Sequence, residues 1–280
     1  ETVIVQTAKS LSTRFNPEVG CIKSWNYKKS WDGETEWFYP VIIDNMMNLE
    51  LLFEATRLSG DSAFYKTAVT HAITTMKNHY REDYSCFHVV NYDTLNGQVL
   101  DRATNQGLTD QSAWARGQAW GLYGFTLCYR YTKDVKFLHF AENIADYILD
   151  HPDLPQDMVP YWDFNAGNPQ MVPEWDINAS EFSMDQRDAS AAAIIGSALF
   201  ELSAFSQKGA KYADAASKIV KSLASPGYMP IPGNNSYFIL DHCVGSIPHG
   251  VEIDVPLVYA DYYFLEALKR KKDIEGNMEI

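Results

Sequence analysis

The sequence predicts an all-α fold built from helical hairpins, arranged as a toroid or a solenoid. Three segments of similar pattern begin at Arg57, Arg130 and Ala204, which are 73 and 74 residues apart. Each contains a turn, then Phe or Tyr, then alanines and aliphatic residues at helical spacing. Each also follows a more apolar helical run. The repeating unit is therefore a buried helix followed by an amphipathic one.

Four apolar runs predict the buried helices. They are VIIDNMMNLELLFEA, SAWARGQAWGLYGF, DASAAAIIGSALFEL and VPLVYADYYFLEAL, which begin at residues 41, 112, 188 and 255. The opening run, VIVQTAKSLSTRF, predicts an outer helix. Long connections are predicted at roughly 85–108, 152–184 and 226–252. We expect functional residues there, because long ordered connections on a helical scaffold commonly carry sites.

The second buried helix is unusually rich in glycine. Gly117, Gly121 and Gly124 fall at positions i, i+4 and i+7, so they share one face of that helix. Each glycine in a helix interior costs about 1 kcal/mol relative to alanine. A similar stripe of small residues lies in the third buried helix. These stripes predict close approach between neighbouring elements of the toroid.

Composition and charge restrict the classes of partner. The chain has 280 residues, 46% hydrophobic content and a formal net charge of −13. The negative charge argues against nucleic acid and anionic membranes as partners, because both favour basic surfaces. It does not argue against an acidic small molecule, which a single arginine can bind. The four cysteines are far apart and predict free, mostly buried thiols with no zinc site. No apolar run is long enough to span a membrane.

Asp44 is the first candidate for chemistry. It lies in PVIIDNMMNL, at the predicted start of a buried helix. An aspartate at that place commonly caps the helix. The alternative is a general acid or base, because neighbouring Ile and Met side chains would desolvate the carboxylate and raise its pKa.

Trp114 and Arg116 lie in the first turns predicted for the glycine-rich helix. Packing in the core and a surface ion pair are the ordinary interpretations of these two residues. On a regular helix, residues two apart point about 200° apart. Both therefore line one site only if the end of the helix faces a cavity with walls on either side, such as the centre of a toroid.

Other polar and aromatic residues gave weaker signals. His88 lies in the apolar, alternating stretch CFHVVNY, and Gln106 lies in a loop, so a structural histidine and an exposed glutamine are the ordinary interpretations. Trp31 is suited either to stacking on a sugar ring or to packing. Asp110 and Ser112 are expected to cap the start of the glycine-rich helix. None of the established phosphate-loop, nucleophile-elbow or metal-ligand motifs is present.

Taken together, the sequence resembles the unsaturated glucuronyl hydrolases, glycoside hydrolase family 88. The resemblance extends from residue 39 to 268 and is carried by IIDNMMNLELLFEAT, SAWARGQAWGLYGF, VPYWDF, RDASAAAI with ALFEL, and VYADYYFLEAL. It implies an (α/α)6 toroid of six helical hairpins and a pocket at one end. It also implies that no cofactor is needed, and the residues suggest none. The implied partner is an unsaturated uronic-acid oligosaccharide of the glycosaminoglycan type.

The resemblance implies an unusual glycosidase mechanism. The substrate ends in a 4,5-unsaturated uronic acid, which is a vinyl ether left by a polysaccharide lyase. An aspartic acid protonates C4, water adds at C5, and the hemiketal opens to release a keto-acid. Motif matching assigns Asp44 to this acid. It assigns Trp114 and Arg116 to binding the unsaturated ring, and His88, Gln106 and Trp31 to the rest of the pocket.

One departure from the family is evident. The family has a second essential aspartate in a His-Asp-x-Gly-Phe segment upstream of the Asp44 motif, and no such segment occurs here. The chain therefore resembles a single toroid domain, 1–280, that corresponds to the C-terminal two-thirds of the family fold. An incomplete ring would expose apolar edges, which favours oligomerisation. Two alternatives remain open, namely an unsaturated rhamnogalacturonyl hydrolase of the sister family and a non-catalytic carbohydrate-binding toroid.

Overall fold

The computed structural model describes residues 1–176, 183–231 and 237–278, with side chains described to residue 276. Eight α-helices occur in these ranges. They are α1 (Thr2–Ser12), α2 (Leu49–Ser59), α3 (Ser62–Asn78), α4 (Ala115–Thr132), α5 (Val135–Leu149), α6 (Ala189–Ser203), α7 (Gly209–Leu223) and α8 (Val258–Met278). A 3-10 helix, Ile43–Asn48, leads directly into α2.

The helices alternate between an inner and an outer layer of an α/α toroid. Nearly every residue of α4 and α6 is buried. Helix α6 packs on both α4 and α8, and α4 also packs on the 3-10 helix. Helices α5 and α7 are amphipathic and bury one face each against this inner layer. The predictions of α4 and α6 as buried helices and of α5 and α7 as outer ones are therefore confirmed. Helix α8 was also predicted to be buried, but it exposes Val258, Tyr262 and Leu265.

Local signals in the sequence explain where the hairpins turn. Asp61, Asp134 and Asp188 cap α3, α5 and α6, because each side chain accepts a hydrogen bond from a main-chain N–H in the first turn. Helix α2 ends at Gly60, whose φ of 74° is in the left-handed region that favours glycine. A two-residue turn, residues 60–61, thus joins α2 to α3.

Nine short β-strands lie in the connections between the helices. They are β1 (Phe15–Asn16), β2 (Cys21–Ile22), β3 (Lys28–Lys29), β4 (Glu36–Trp37), β5 (Pro40–Ile42), β6 (Val89–Tyr92), β7 (Val99–Ala103), β8 (Cys243–Ser246) and β9 (Val251–Val255). β5, β6 and β7 form one antiparallel sheet, and β8 pairs with β9. These connections are ordered by strand pairing, as the alternating residues of CFHVVNY indicate.

The glycines of α4 allow close packing, as predicted. A Cβ at Gly124 would lie 3.0 Å from the carbonyl carbon of Met46, and one at Gly117 would lie 3.1 Å from Cγ2 of Ile43. Both neighbours belong to the 3-10 helix. Gly121 faces the Tyr80 hydroxyl. Glycine therefore lets α4 lie directly against the segment that carries Asp44.

The four cysteines lie in the interior of the protein. All four cysteines are free and buried, as expected. Burial raises the pKa of the Cys21 and Cys86 thiols to about 12, so both remain protonated. In the described part of the chain, no helix is both long enough and apolar enough to cross a membrane.

Candidate active site

The pairing of β5 with β6 brings Asp44 and His88 together. Ile42 lies opposite Val89, and the N–H of Ile43 donates to the carbonyl of His88 at 3.0 Å. Asp44 is the next residue along the 3-10 helix. His88 Nε2 then lies 3.6 Å from Oδ2 of Asp44. Two residues 44 positions apart in the chain therefore meet because of a strand register.

Asp44 lies inside the first turn of the 3-10 helix and does not cap it. The side chain is 23% exposed, and its Oδ2 atom has no hydrogen-bond partner among the described residues. Burial raises the pKa of Asp44 to about 6, although the charge of Arg116 and a hydrogen bond from Trp120 lower it. A carboxyl group with that pKa is protonated in about one molecule in ten at pH 7, far more often than an ordinary aspartate, and this favours a role as general acid.

His88 is held as a neutral imidazole in one tautomer. Its Nδ1 atom accepts hydrogen bonds from the main-chain N–H groups of Asn105 and Gln106, both at 3.1 Å. The proton of the neutral ring is therefore on Nε2, which faces Asp44. Burial lowers the pKa of His88 well below its usual value, and the charges of Arg116 and Lys28 lower it further. His88 can donate a hydrogen bond at this site, but it does not act as a cation there.

Side chains hold the loop that follows β7. Five successive main-chain N–H groups, at 104–108, each donate to a side chain. The acceptors are Asp110 for the first, His88 for the next two, Thr104 for the fourth and Asp163 for the fifth. This pattern fixes a segment with no regular secondary structure against the site.

The expectation that Asp110 and Ser112 cap α4 was wrong. The residue that caps α4 is Trp114, and no side chain bonds to the first turn there. Asp110 instead accepts from Thr104 at 2.6 Å, and the Ser112 hydroxyl donates to Asp163 at 2.7 Å. The loop competes for these side chains because its own N–H groups would otherwise be buried without partners.

Trp114 and Arg116 meet because Trp114 is not helical. Its backbone is extended, with φ −60° and ψ 122°, so its side chain does not follow the helical rotation. The Arg116 guanidinium carbon lies 4.4 Å from the centre of the Trp114 ring. The ring centre of His88 lies 4.5 Å from that of Trp114, and Nε2 of the same ring lies 3.6 Å from Asp44. The two residues therefore contribute to one site, which a regular helix would not allow.

Arg116 is buried and strongly held by protein groups. Its Nη1 atom donates to the Val244 carbonyl and lies 3.3 Å from Asp188, and its Nη2 atom donates to the Gly245 carbonyl at 2.6 Å. Gln106 donates to the same Gly245 carbonyl at 3.0 Å. Arg116 and Gln106 thus connect α4 and the 104–108 loop to β8. Asp188, which sequence reasoning missed, neutralises part of the arginine charge.

Trp31 and Trp120 complete the aromatic surroundings. The Trp31 indole N–H donates to the Asn105 carbonyl at 3.2 Å, and its ring packs 4.9 Å from His249. Trp120, four residues after Arg116 in α4, is buried and contributes a hydrogen bond that lowers the pKa of Asp44. Sequence reasoning missed Trp120. Its spacing from Arg116, one turn of helix, was the available signal.

Several buried polar atoms of the site have no hydrogen-bond partner in the described ranges of the chain. They are Asp44 Oδ2, His88 Nε2, Asn105 Oδ1 and Trp114 Nε1. Buried polar groups without partners are rare in proteins and commonly mark a ligand site. One carboxyl, two N–H donors and one carbonyl acceptor suit a ligand with many hydroxyl groups. The structure brings all six residues selected from the sequence to this region.

Comparisons with known proteins identify the family of the chain. No family model matches it. An unsaturated glucuronyl hydrolase of Formosa agariphila is 49% identical over 272 residues, which are 97% of this chain and 63% of that protein. A solved structure of an unsaturated glucuronyl hydrolase specific for heparin superposes with a TM-score of 0.87 at 49% identity, covering 98% of this chain and 68% of that one. The chain belongs to the unsaturated glucuronyl hydrolase family.

A second curated relative is less similar and is named for chondroitin disaccharide. An unsaturated chondroitin disaccharide hydrolase of Streptococcus pneumoniae is 34% identical over 274 residues, which are 95% of this chain. The chain spans 63% of the length of both curated relatives. The α/α toroid predicted from the sequence is confirmed by these likenesses together with the layered helices of the structure.

Proposed function

We propose that the chain carries a glycoside hydrolase site that releases 4,5-unsaturated uronic acid from lyase-generated oligosaccharides. The observation that carries this proposal is the desolvated carboxyl of Asp44, whose pKa of about 6 and unpartnered Oδ2 suit a proton donor. Membership of the family supports this reaction. The relatives' names mention glucuronyl, chondroitin and heparin substrates, so the proposed partner is a glycosaminoglycan fragment.

Asp44 acts first as an acid in the proposed reaction. Its carboxyl proton moves to C4, and the electrons of the C4=C5 double bond form the new C4–H bond. The positive charge that develops at C5 is shared with the ring oxygen. Water then adds at C5 and gives a proton back to the Asp44 carboxylate. The same residue therefore serves as acid and then as base.

Release of the leaving sugar follows from the addition of water. The hemiketal at C5 opens when its bond to the ring oxygen breaks, which leaves a ketone at C5 and a hemiacetal at C1. Collapse of that hemiacetal breaks the bond to the leaving sugar. Neither step needs a metal or an organic cofactor, because both are ordinary hemiacetal chemistry.

The other site residues would bind and orient the unsaturated ring. His88 would donate from Nε2, and the Trp114 indole N–H is a second free donor. Trp114 and Trp31 supply aromatic faces for the apolar faces of sugar rings. Arg116 would hold Trp114 in place by stacking and give the pocket a positive charge, which favours the substrate carboxylate. Gln106 would hold the loop that presents these groups.

Loss of the ultraviolet absorbance of the conjugated C4=C5 bond tests the proposal directly. The substrates are unsaturated disaccharides from chondroitin, hyaluronan, heparin and pectin. We expect the glycosaminoglycan disaccharides to lose absorbance and Asp44→Asn to lose at least about 100-fold in rate. Asp214→Asn is the matched control, because Asp214 is 66% exposed on α7. A preference for the pectin disaccharide would favour the sister family, and binding without turnover would favour a carbohydrate-binding toroid.

A further inference from the structure

His79 is a fully buried histidine at the C-terminal end of α3. It directly follows Asn78, the last residue of that helix, and its main-chain N–H donates to the Thr75 carbonyl at 2.9 Å. The residue therefore has a fixed place at the end of a helix. From there its remaining polar groups can hold other parts of the chain.

Two groups of His79 bond to the two segments that meet at the site. Its Nε2 atom lies 3.1 Å from the carbonyl oxygen of Val41, which is in β5, three residues before Asp44. Its main-chain carbonyl accepts from the N–H of Phe87 at 2.7 Å, and Phe87 directly precedes His88. A single residue thus holds the chain on both sides of the contact between Asp44 and His88.

The hydrogen bond to Val41 fixes the tautomer of the His79 ring. A carbonyl oxygen can only accept, so Nε2 of His79 donates and carries the ring proton. That oxygen has two lone pairs, so the bond is compatible with the pairing of Val41 and Val90 in the sheet. Burial lowers the pKa of His79 to about 4. The ring is therefore neutral, with its donor in place, when Asp44 titrates near 6.

The other ring nitrogen indicates that stability alone does not account for this histidine. Nδ1 of His79 is buried and has no hydrogen-bond partner among the described residues. A buried acceptor without a partner destabilises a folded protein, and an apolar side chain at this position would avoid that effect. The ring gains in return its bond to β5, the strand that leads into the Asp44 segment.

We propose that His79 is a positioning residue, which holds β5 and the segment before β6 together and so sets the place of Asp44 beside His88. This inference rests on the function proposed for Asp44. The imidazole holds the strand that leads to the acid, and the main-chain carbonyl holds the segment that leads to His88. Without the imidazole, β5 is free to shift away from the end of α3, and water reaches the Asp44 carboxyl.

The test begins with His79→Leu, which removes the donor to Val41 and leaves the main-chain bond to Phe87 in place. The pKa of Asp44 should fall toward 3.8, because burial is the largest cause of its raised value. A fall by one unit leaves about a tenth as much protonated acid at neutral pH, so we expect kcat to fall about tenfold. KM should change less than about twofold, because the sugar-binding groups lie outside β5.

Two measurements provide these quantities. Turnover of a glycosaminoglycan disaccharide is followed by the ultraviolet absorbance of its double bond. The pKa of Asp44 is followed in the substrate-free protein by NMR of the aspartate carboxyl carbons, with Asp44→Asn identifying the signal. The second measurement does not depend on turnover.

Conservative variants separate the hydrogen bond from the volume of the side chain. His79→Gln brings an amide nitrogen to about the place of Nε2, so it should recover at least about half of kcat and restore the pKa of Asp44. The amide of His79→Asn is one carbon shorter and does not reach the Val41 carbonyl, so this variant should behave like His79→Leu. If His79→Leu failed to fold, the comparison of the Gln and Asn variants would still carry the test.

Tyr212→Phe is the control for a general loss of stability. The fully buried Tyr212 also donates to a main-chain carbonyl, that of Glu142 at 3.3 Å, but this bond joins α7 to α5 in the outer layer. The variant should lose stability and keep both kcat and the pKa of Asp44. A fall in kcat that Tyr212→Phe shared, or that His79→Gln did not recover, would make lost stability the cause and overturn the proposal.

The two measurements also distinguish this inference from the proposed function. If the parent protein turned over substrate and His79→Leu changed neither kcat nor the pKa of Asp44, the function would stand and the role of His79 would be overturned. If the parent showed no turnover and His79→Leu lowered the pKa of Asp44, the positioning role would be supported and the function overturned. If neither turnover nor a change in that pKa were seen, both would be overturned.

Discussion

Nε2 of His88 lies 3.6 Å from Oδ2 of Asp44, and neither atom has a hydrogen-bond partner among the described residues. The pairing is directional, because two main-chain N–H groups occupy Nδ1 and keep the imidazole proton on Nε2. The 3.6 Å between these atoms is too short to hold another atom in line between them, but a ligand hydroxyl or a water beside the pair can bond to both. The neutral imidazole of His88 can therefore donate a hydrogen bond beside Asp44, and its lowered pKa keeps it from acting as a base near neutral pH.

The first prediction concerns the pH dependence of turnover. Asp44 must be protonated to donate to C4, and its pKa is about 6. We expect kcat/KM to fall as pH rises through about 6, by about tenfold for each further pH unit. Titration of His88 should cause no second change in kcat/KM near neutral pH, since its pKa is well below its usual value. A profile that stayed flat between pH 5 and pH 8 would remove Asp44 from the role of acid; these pH values span the pKa of about 6.

The same pKa predicts how stability depends on pH. The pKa of Asp44 is raised from 3.8 to about 6 on folding. For an acid with a raised pKa, the stabilising contribution is complete below the unfolded value and is lost as pH rises through the folded one. Asp44→Asn removes the cost of ionising a buried carboxyl. The variant should therefore gain stability relative to the parent as pH rises from 3.8 to about 6, and it should keep that gain at higher pH.

The size of that gain follows from the pKa shift. Two units correspond to about 3 kcal/mol as an upper bound, and the 23% exposure of the side chain reduces it. Thermal unfolding of both proteins across this pH range provides the measurement. A constant difference between the two proteins at all pH values would mean that Asp44 ionises in the folded protein as it does in the unfolded chain.

The sequence predicted the helices well because their signals are local. Apolar periodicity located the inner and outer helices. Asp61, Asp134 and Asp188 cap the starts of α3, α5 and α6, which are also set by local sequence. The glycine stripe of α4 predicted close packing, and Gly124 indeed faces Met46. Each of these features depends on residues within a few positions of one another.

The site was harder to predict because its contacts depend on distant residues. The register of β5 against β6 sets the distance from Asp44 to His88, and no local pattern encodes it. The buried partner of Arg116 is Asp188, 72 residues later. The capping roles expected of Asp110 and Ser112 were wrong, because both side chains make tertiary hydrogen bonds instead. Asp110 accepts from the Thr104 N–H, and Ser112 donates to Asp163.

Gly124→Ala tests whether the packing of α4 positions the acid. A methyl group there would press on the main chain of Met46, two residues after Asp44. Main-chain atoms cannot rotate away, so the 3-10 helix must shift. We expect a loss of about 1–3 kcal/mol in stability and a fall in kcat larger than the change in KM. Gly167→Ala is the matched control, because nothing lies within 4 Å of a Cβ at that position. Equal activity in the two variants would mean that the packing of α4 against Met46 does not determine the position of Asp44.

Arg116→Ala should destabilise the protein as well as weaken substrate binding. The change leaves the fully buried Asp188 carboxylate without its ion-pair partner and the Val244 carbonyl without its guanidinium donor, whereas the Gly245 carbonyl keeps the hydrogen bond from Gln106. Breaking a buried ion pair from one side costs about 3–5 kcal/mol. Denaturant unfolding gives the measurement. Arg57→Ala is the control. Arg57 pairs with Glu54 and is 64% exposed, so its removal should cost less than about 1 kcal/mol.

Adding Asp188→Asn to Arg116→Ala separates the cost of the unpaired charge from the loss of packing. Asparagine remains a good capping residue for α6, and it carries no charge that Arg116 must balance. The double variant should therefore recover at least about half of the lost stability. Substrate affinity should stay low in the double variant, because the guanidinium that stacks on Trp114 is absent. If affinity returned together with stability, Arg116 would act on the substrate only through the fold of β8.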